Sequence, residues 1–101
     1  MWRRRTKGND GMKRAGQTEV INRLGLRARA SARLVKAAGR ETSSIRSGTG
    51  SETVDGKSIM GLMMLAATQG TTMTITVEGE DAESAMHDIV SLFENRFDEH
   101  E

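Results

Sequence analysis

Residues 71–93, "TTMTITVEGEDAESAMHDIVSLF", contain a strand pattern followed directly by a helix pattern. In "TTMTITV" (71–77) apolar and polar residues alternate, with Met73, Ile75 and Val77 on one face. That period of two predicts a strand with one buried side. After Gly79 the period changes. Ala82, Ala85, Met86, Ile89 and Phe93 recur at three- and four-residue spacing and predict an amphipathic helix. A strand with one apolar face needs a cover, and the helix that follows has an apolar stripe to supply it.

The same reading extends backwards along the chain. "QTEVIN" (17–22) predicts a strand ending before Leu24-Gly25. The alanine-rich stretch 28–38 carries Ala30, Leu34, Val35 and Ala38 at helical spacing, with Gly39 expected as its C-terminal cap. "SSIRS" (43–47) and "ETVD" (52–55) flank Gly48 and Gly50 and predict a hairpin. Ser58 is the expected N-cap of a short helix, "IMGLMML". The predicted order is β-α-β-β-α-β-α, an α+β domain in which a four-stranded antiparallel sheet is covered on one face by three helices.

The bulk numbers exclude several classes. A chain of 101 residues holds one core. With no cysteine there is no disulfide and no thiolate metal site, and His87 and His100 are too few and too separated for a metal cluster. No apolar run reaches membrane-spanning length and the N-terminus has no apolar signal core, so a cytoplasmic protein with no membrane contact is expected. Net charge is only +1, but fourteen of fifteen basic residues lie between Arg3 and Lys57, and nine of fourteen acidic ones between Glu78 and Glu101. Residues 1–15 lack apolar periodicity and are expected to be a disordered basic extension, leaving 16–101 as the folded domain. The triple arginine Arg3–Arg5 has no interleaved aromatics, so nucleic acid is not the expected partner.

Two chemical motifs fail on spacing. "GSETVDGKS" (50–58) ends like a phosphate-binding loop, but five residues rather than four separate Gly50 from Gly56. His87 has no serine or acid placed to make a nucleophilic triad. What remains is two helix starts, one after Gly25-Leu26 carrying Arg27 and Arg29, the other at Ser58. Free N–H groups and the helix dipole favour an anion at such positions. The helix after Ser58 is apolar almost all round, so some of Ile59, Met60, Met63 and Met64 must face outward, as methionine does at adaptable contact surfaces.

"RLGLRARAS", "GKSIMGLMMLAATQGT" and "TITVEGEDAESAM" together resemble the HPr family, the histidine-containing phosphocarriers of the bacterial phosphotransferase system. The likeness runs over roughly residues 17 to 98. It implies an open-faced β-sandwich, no cofactor, and partners in enzyme I, the enzyme II components and HPr kinase/phosphorylase. It also implies that Arg29 helps hold a phosphate, that Ser58 is a regulatory phosphorylation site, and that Ile59, Met60 and Met63 form a docking patch. In the family, histidine stands in Gly-Leu-His-Ala-Arg; here the stretch is Gly25-Leu26-Arg27-Ala28-Arg29. A neutral imidazole can accept a phosphoryl group, whereas a guanidinium stays protonated and has no lone pair to offer. The family also usually has an aromatic residue where Glu41 stands and an apolar one at Ser47. The expected function is therefore a phosphocarrier-like protein, not an enzyme, with its histidine relay disabled. Alternatives are an altered copy of an ordinary carrier and a basic nucleic-acid-binding protein reusing the fold.

Overall fold

The computed structural model describes residues 12–50 and 52–100. Four strands and three helices follow one another as β1 (Lys13–Glu19), α1 (Ala28–Gly39), β2 (Ser44–Thr49), β3 (Glu52–Asp55), α2 (Ile59–Met64), β4 (Thr72–Glu78) and α3 (Ala82–Glu94). The strands form one antiparallel sheet in the order β1-β4-β2-β3. The expected α+β architecture and element order are therefore present.

The alternation in β4 decides which face the helices cover. Met73, Ile75 and Val77 are fully buried, while Thr72 and Glu78 are exposed. The register places Ile45 beside Val77 and Ser47 beside Ile75, so β2 contributes to the same inner face. α3 fills that side with Ala82, Ala85, Ile89 and Phe93, all buried. α1 adds Ala30, Leu34 and Ala38, and α2 adds Leu62. The opposite sheet face carries Thr72, Thr74, Thr76, Arg46 and Thr53, and among the described residues no helix packs on it.

Several boundaries differ from the sequence reading: β2 runs on through Gly48 to Thr49, α2 stops at Met64, β4 is displaced by one residue, and larger changes fall in β1 and at the end of α1. β1 begins at Lys13 and ends at Glu19, not over 17–22, and so takes in three residues assigned to the extension. Strand pairing overrides local preference here: β4 offers seven residues, and β1 pairs with all of them from Lys13↔Glu78 to Glu19↔Thr72. Val20 then leaves the ladder for the core. Arg3–Arg5, and with them the basic extension up to residue 11, lie outside the described residues. At the end of α1, Gly39 is the last helical residue rather than the cap. Arg40 takes that role in a right-handed conformation, its N–H donating to the Ala37 carbonyl at 3.2 Å while Glu41 N–H donates to the Ala38 carbonyl at 3.1 Å.

The chain leaves α3 through an unusual turn. Arg96, Phe97 and Asp98 all have positive φ, 55°, 53° and 63°. Such conformations cost L-residues roughly 1–2 kcal/mol each. Burial of Phe97 offsets that cost, its ring edge-on to Phe93 with centroids 4.8 Å apart. Arg33 Nη1 also donates to the Phe97 carbonyl.

Candidate functional site

The turn between β1 and α1 is built around Asn22 and Gly25. Gly25 N–H donates to the Asn22 carbonyl at 3.2 Å, and Asn22 Nδ2 donates back to the Gly25 carbonyl at 3.0 Å. This is a local hydrogen-bonded turn of the kind asparagine favours. Gly25 has φ +70°, and a Cβ there would lie 2.4 Å from the Ala67 carbonyl oxygen, so only glycine fits. Leu26 N–H donates to that same carbonyl at 2.9 Å, which ties the start of α1 to the segment after α2.

Arg27 is the N-cap of α1 and is exposed, with no side-chain hydrogen bond capping the helix and no acidic residue in its first turn. Arg29 is also exposed. This start therefore presents two cations beside uncapped N–H groups. Arg27 shares a shallow cleft with Leu24, Leu26, Met63, Ala66, Ala67 and Thr68. Arg29 borders a second cleft with Leu24, Arg33, Asp98, Glu99 and His100. Glu99 comes back across the domain from the C-terminal segment, and its Oε1 accepts from Asn22 Nδ2 at 2.9 Å.

The start of α2 is organised differently. Ser58 is its N-cap, and its Oγ accepts the Gly61 N–H at 3.1 Å. Asp55 fixes the approach, accepting Ser58 N–H at its carbonyl (3.1 Å) and Lys57 N–H at Oδ1 (2.9 Å). Lys57 Nζ turns away from Ser58's helix to the Glu41 carbonyl, 3.0 Å distant. Leu62 alone of this helix is fully buried. Ile59, Met60, Met63 and Met64 are 40–73 % exposed. Together with the half-exposed Leu24 they make an apolar patch that runs along α2 and reaches the Arg27 cleft through Met63. The fold thus brings Arg27, Met63 and the α2 surface together, and leaves His87 apart on α3 with its side chain 81 % exposed.

Asn22, Leu24, Arg33 and Glu99 are not picked out by the sequence as part of this region. Asn22 had a usable signal, an asparagine three residues ahead of a glycine at a strand end. Glu99 had none, since its proximity depends on the left-handed turn at 96–98.

A carboxylate cluster lies at the far end of α1. Asp81 accepts N–H groups from Thr42 (2.9 Å) and Ser43 (3.0 Å) as well as the Ser43 hydroxyl. These bonds, the Ser43 hydroxyl foremost, hold its pKa down at about 2. Glu41 nearby is shifted upward, by burial first and then by the charges of Asp88 and Asp81.

A four-stranded antiparallel sheet with three helices on one side, the start of α1 meeting the end of α2 through Gly25 and Ala67, defines an open-faced sandwich of the phosphocarrier class. The PTS HPr component phosphorylation site family matches residues 15–95. The chain is 51% identical over 83 residues to the phosphocarrier protein HPr of Pseudomonas aeruginosa, covering 81% of this chain and 92% of that one. Its fold matches the crystal structure of HPr-C-His from Thermoanaerobacter tengcongensis with a TM-score of 0.84 at 35% identity, over 87% of this chain and 99% of that one. Bacillus subtilis Crh, described as a catabolite repression protein, matches with a TM-score of 0.67 at 37% identity, over 78% and 91% of the two chains. The chain belongs to the HPr family of the phosphotransferase system. Members of this family are phosphocarrier proteins and not catalytic enzymes, and they work with enzyme I and the enzyme II components. Among the described residues no helix is long and apolar enough to cross a membrane.

Proposed function

We propose that this chain is an HPr-family protein whose phosphoryl relay at the start of α1 is disabled and which acts through docking, under control of phosphorylation at Ser58. One observation carries the reading. Arg27 stands at the N-cap of α1, where the family resemblance puts the phospho-accepting histidine. A guanidinium with a pKa of roughly 12 or higher binds phosphate through its N–H fork but has no free nitrogen lone pair to attack phosphorus. Arg27 and Arg29 therefore attract an anion to this helix start without becoming its covalent carrier.

Docking would use Ile59, Met60 and Met63, whose exposure on α2 favours an apolar contact with enzyme I and enzyme II components in the cytoplasm. Ser58 lies at the edge of that patch with a free O–H to modify. A phosphate on its oxygen adds about −1.5 to −2 charges at the helix start and changes what the surface will meet. HPr kinase/phosphorylase is the partner proposed for that step.

Incubation with phosphoenolpyruvate and enzyme I tests the relay: no acid-labile phosphate is expected on this chain, and its appearance would overturn the reading. Incubation with HPr kinase/phosphorylase and ATP should give an acid-stable phosphate that maps to Ser58. A second reading, an ordinary carrier stopped at one step, is favoured by the 51% identity to the Pseudomonas protein. It requires that Arg27→His alone restore transfer.

A further inference from the structure

α2 is a six-residue helix with three methionines, in a chain that has no cysteine. At 100° per residue, Ile59, Met63, Met60 and Met64 fall within an arc of about 140°, with Leu62 on the other side facing the core. Met60 and Met64 are 70% and 73% exposed and Met63 is 41% exposed, whereas Met73 in β4 is fully enclosed. Methionine side chains therefore make up much of an open apolar surface, and thioether is the only kind of sulfur the chain possesses. Leucine would cover the same area with no oxidisable atom.

From this we infer that Met60 and Met64 are a peroxide-sensitive modification site, and that their sulfoxidation switches off docking through α2. The inference rests on the docking role proposed above. In the reaction a sulfur lone pair attacks one oxygen of a hydroperoxide. The S–O bond forms as the O–O bond breaks, sulfur is oxidised by two electrons, and the peroxide is reduced to water or an alcohol. The product carries a strong S=O dipole in place of an apolar, polarisable sulfur. An interface that buried it would have to leave that dipole unpaired, so a surface suited to apolar contact becomes one that prefers water. The core is spared because Met73 is shielded by the packed helices. The change is reversible by methionine sulfoxide reductases, which makes it a switch rather than damage.

The test treats the intact protein with hydrogen peroxide, maps sulfoxides by peptide mass spectrometry, and measures binding to purified enzyme I from the same organism by calorimetry. Met60 and Met64 should oxidise first, Met63 later and Met73 last, with the fold unchanged by circular dichroism. Affinity should fall about tenfold or more, the loss seen when a central interface contact is removed, and return after reductase treatment. In Met60→Leu/Met64→Leu, compared with its own untreated sample, peroxide should no longer change affinity. If the untreated protein binds and the oxidised protein binds equally well, or if Met73 oxidises alongside Met60, the switch is overturned and docking stands. If the untreated protein does not bind enzyme I, the docking role itself is overturned and the switch with it.

Discussion

Ser47 is fully buried on the inner face of β2, and its Oγ has no hydrogen-bond partner. Its neighbours across the sheet are Val54 in β3 and Ile75 in β4, neither of which has a polar side-chain group. A hydroxyl stripped of water without a replacement partner costs about 1–3 kcal/mol. Ser47→Ala removes that oxygen and leaves the rest of the side chain in place. Alanine is a poorer strand residue by some tenths of a kcal/mol, on a scale that spans about 1 kcal/mol. The net gain should be about 1–2 kcal/mol in unfolding free energy. For a domain of this size each kcal/mol raises the melting temperature by roughly 4–8 °C. Urea denaturation should show a higher midpoint with an unchanged slope, since the surface exposed on unfolding is the same. Ser47→Val then probes volume: a further rise means that space under the sheet is unfilled, and a fall means that the gap is already closed. A midpoint for Ser47→Ala equal to or below that of the parent protein would refute the reasoning.

Arg27→His should introduce an acid-labile phosphate in the presence of phosphoenolpyruvate and enzyme I, followed by autoradiography. Arg27→Lys should not, because an ammonium also lacks the lone pair at neutral pH. Ser58→Ala should abolish kinase-dependent labelling and, by removing the α2 cap on Gly61 N–H, lower stability by about 1 kcal/mol in thermal melts. The depressed pKa of Asp81 means that its carboxylate stabilises the fold above the ordinary value of 3.8 and that this contribution disappears as pH falls towards about 2. Asp81→Asn should flatten the stability profile across that window, read as melting temperature against pH. Glu41 has the opposite sign: its raised pKa means that the folded state disfavours the charge, most strongly at neutral pH. Glu41→Gln should therefore melt slightly higher at pH 7 and no higher at pH 3.

The region around α1 and α2 was only partly legible in the chain. Ser58 was readable because an N-cap acts within three residues, and its bond to Gly61 is local. Arg27 and Arg29 were readable as occupants of a helix start, since glycine, turn and helical spacing lie within a few positions of each other. The contact of Gly25 with Ala67 joins residues far apart in sequence, and nothing in either stretch announces it. Glu99 reaches Asn22 only because three residues turn left-handed and Phe97 is buried. The start of β1 was misjudged for a related reason. Lys13-Arg14-Ala15-Gly16 has little strand preference of its own, and its pairing is supplied by β4.

By itself the amino-acid sequence determined the period of β4, α1 and α3, the side β4 and α3 present to the core, the order β-α-β-β-α-β-α and the chemistry available at Arg27. These follow from local sterics, from the alternation of apolar and polar residues, and from the fixed protonation of guanidinium. The tertiary structure decided where β1 begins, which carboxylates share a neighbourhood, that Ser47 lies unpaired in the core, and that the methionine face of α2 borders the Arg27 turn. Those properties depend on which distant segments compete for the same space, and that competition is resolved only when the sheet and its helices close on one core.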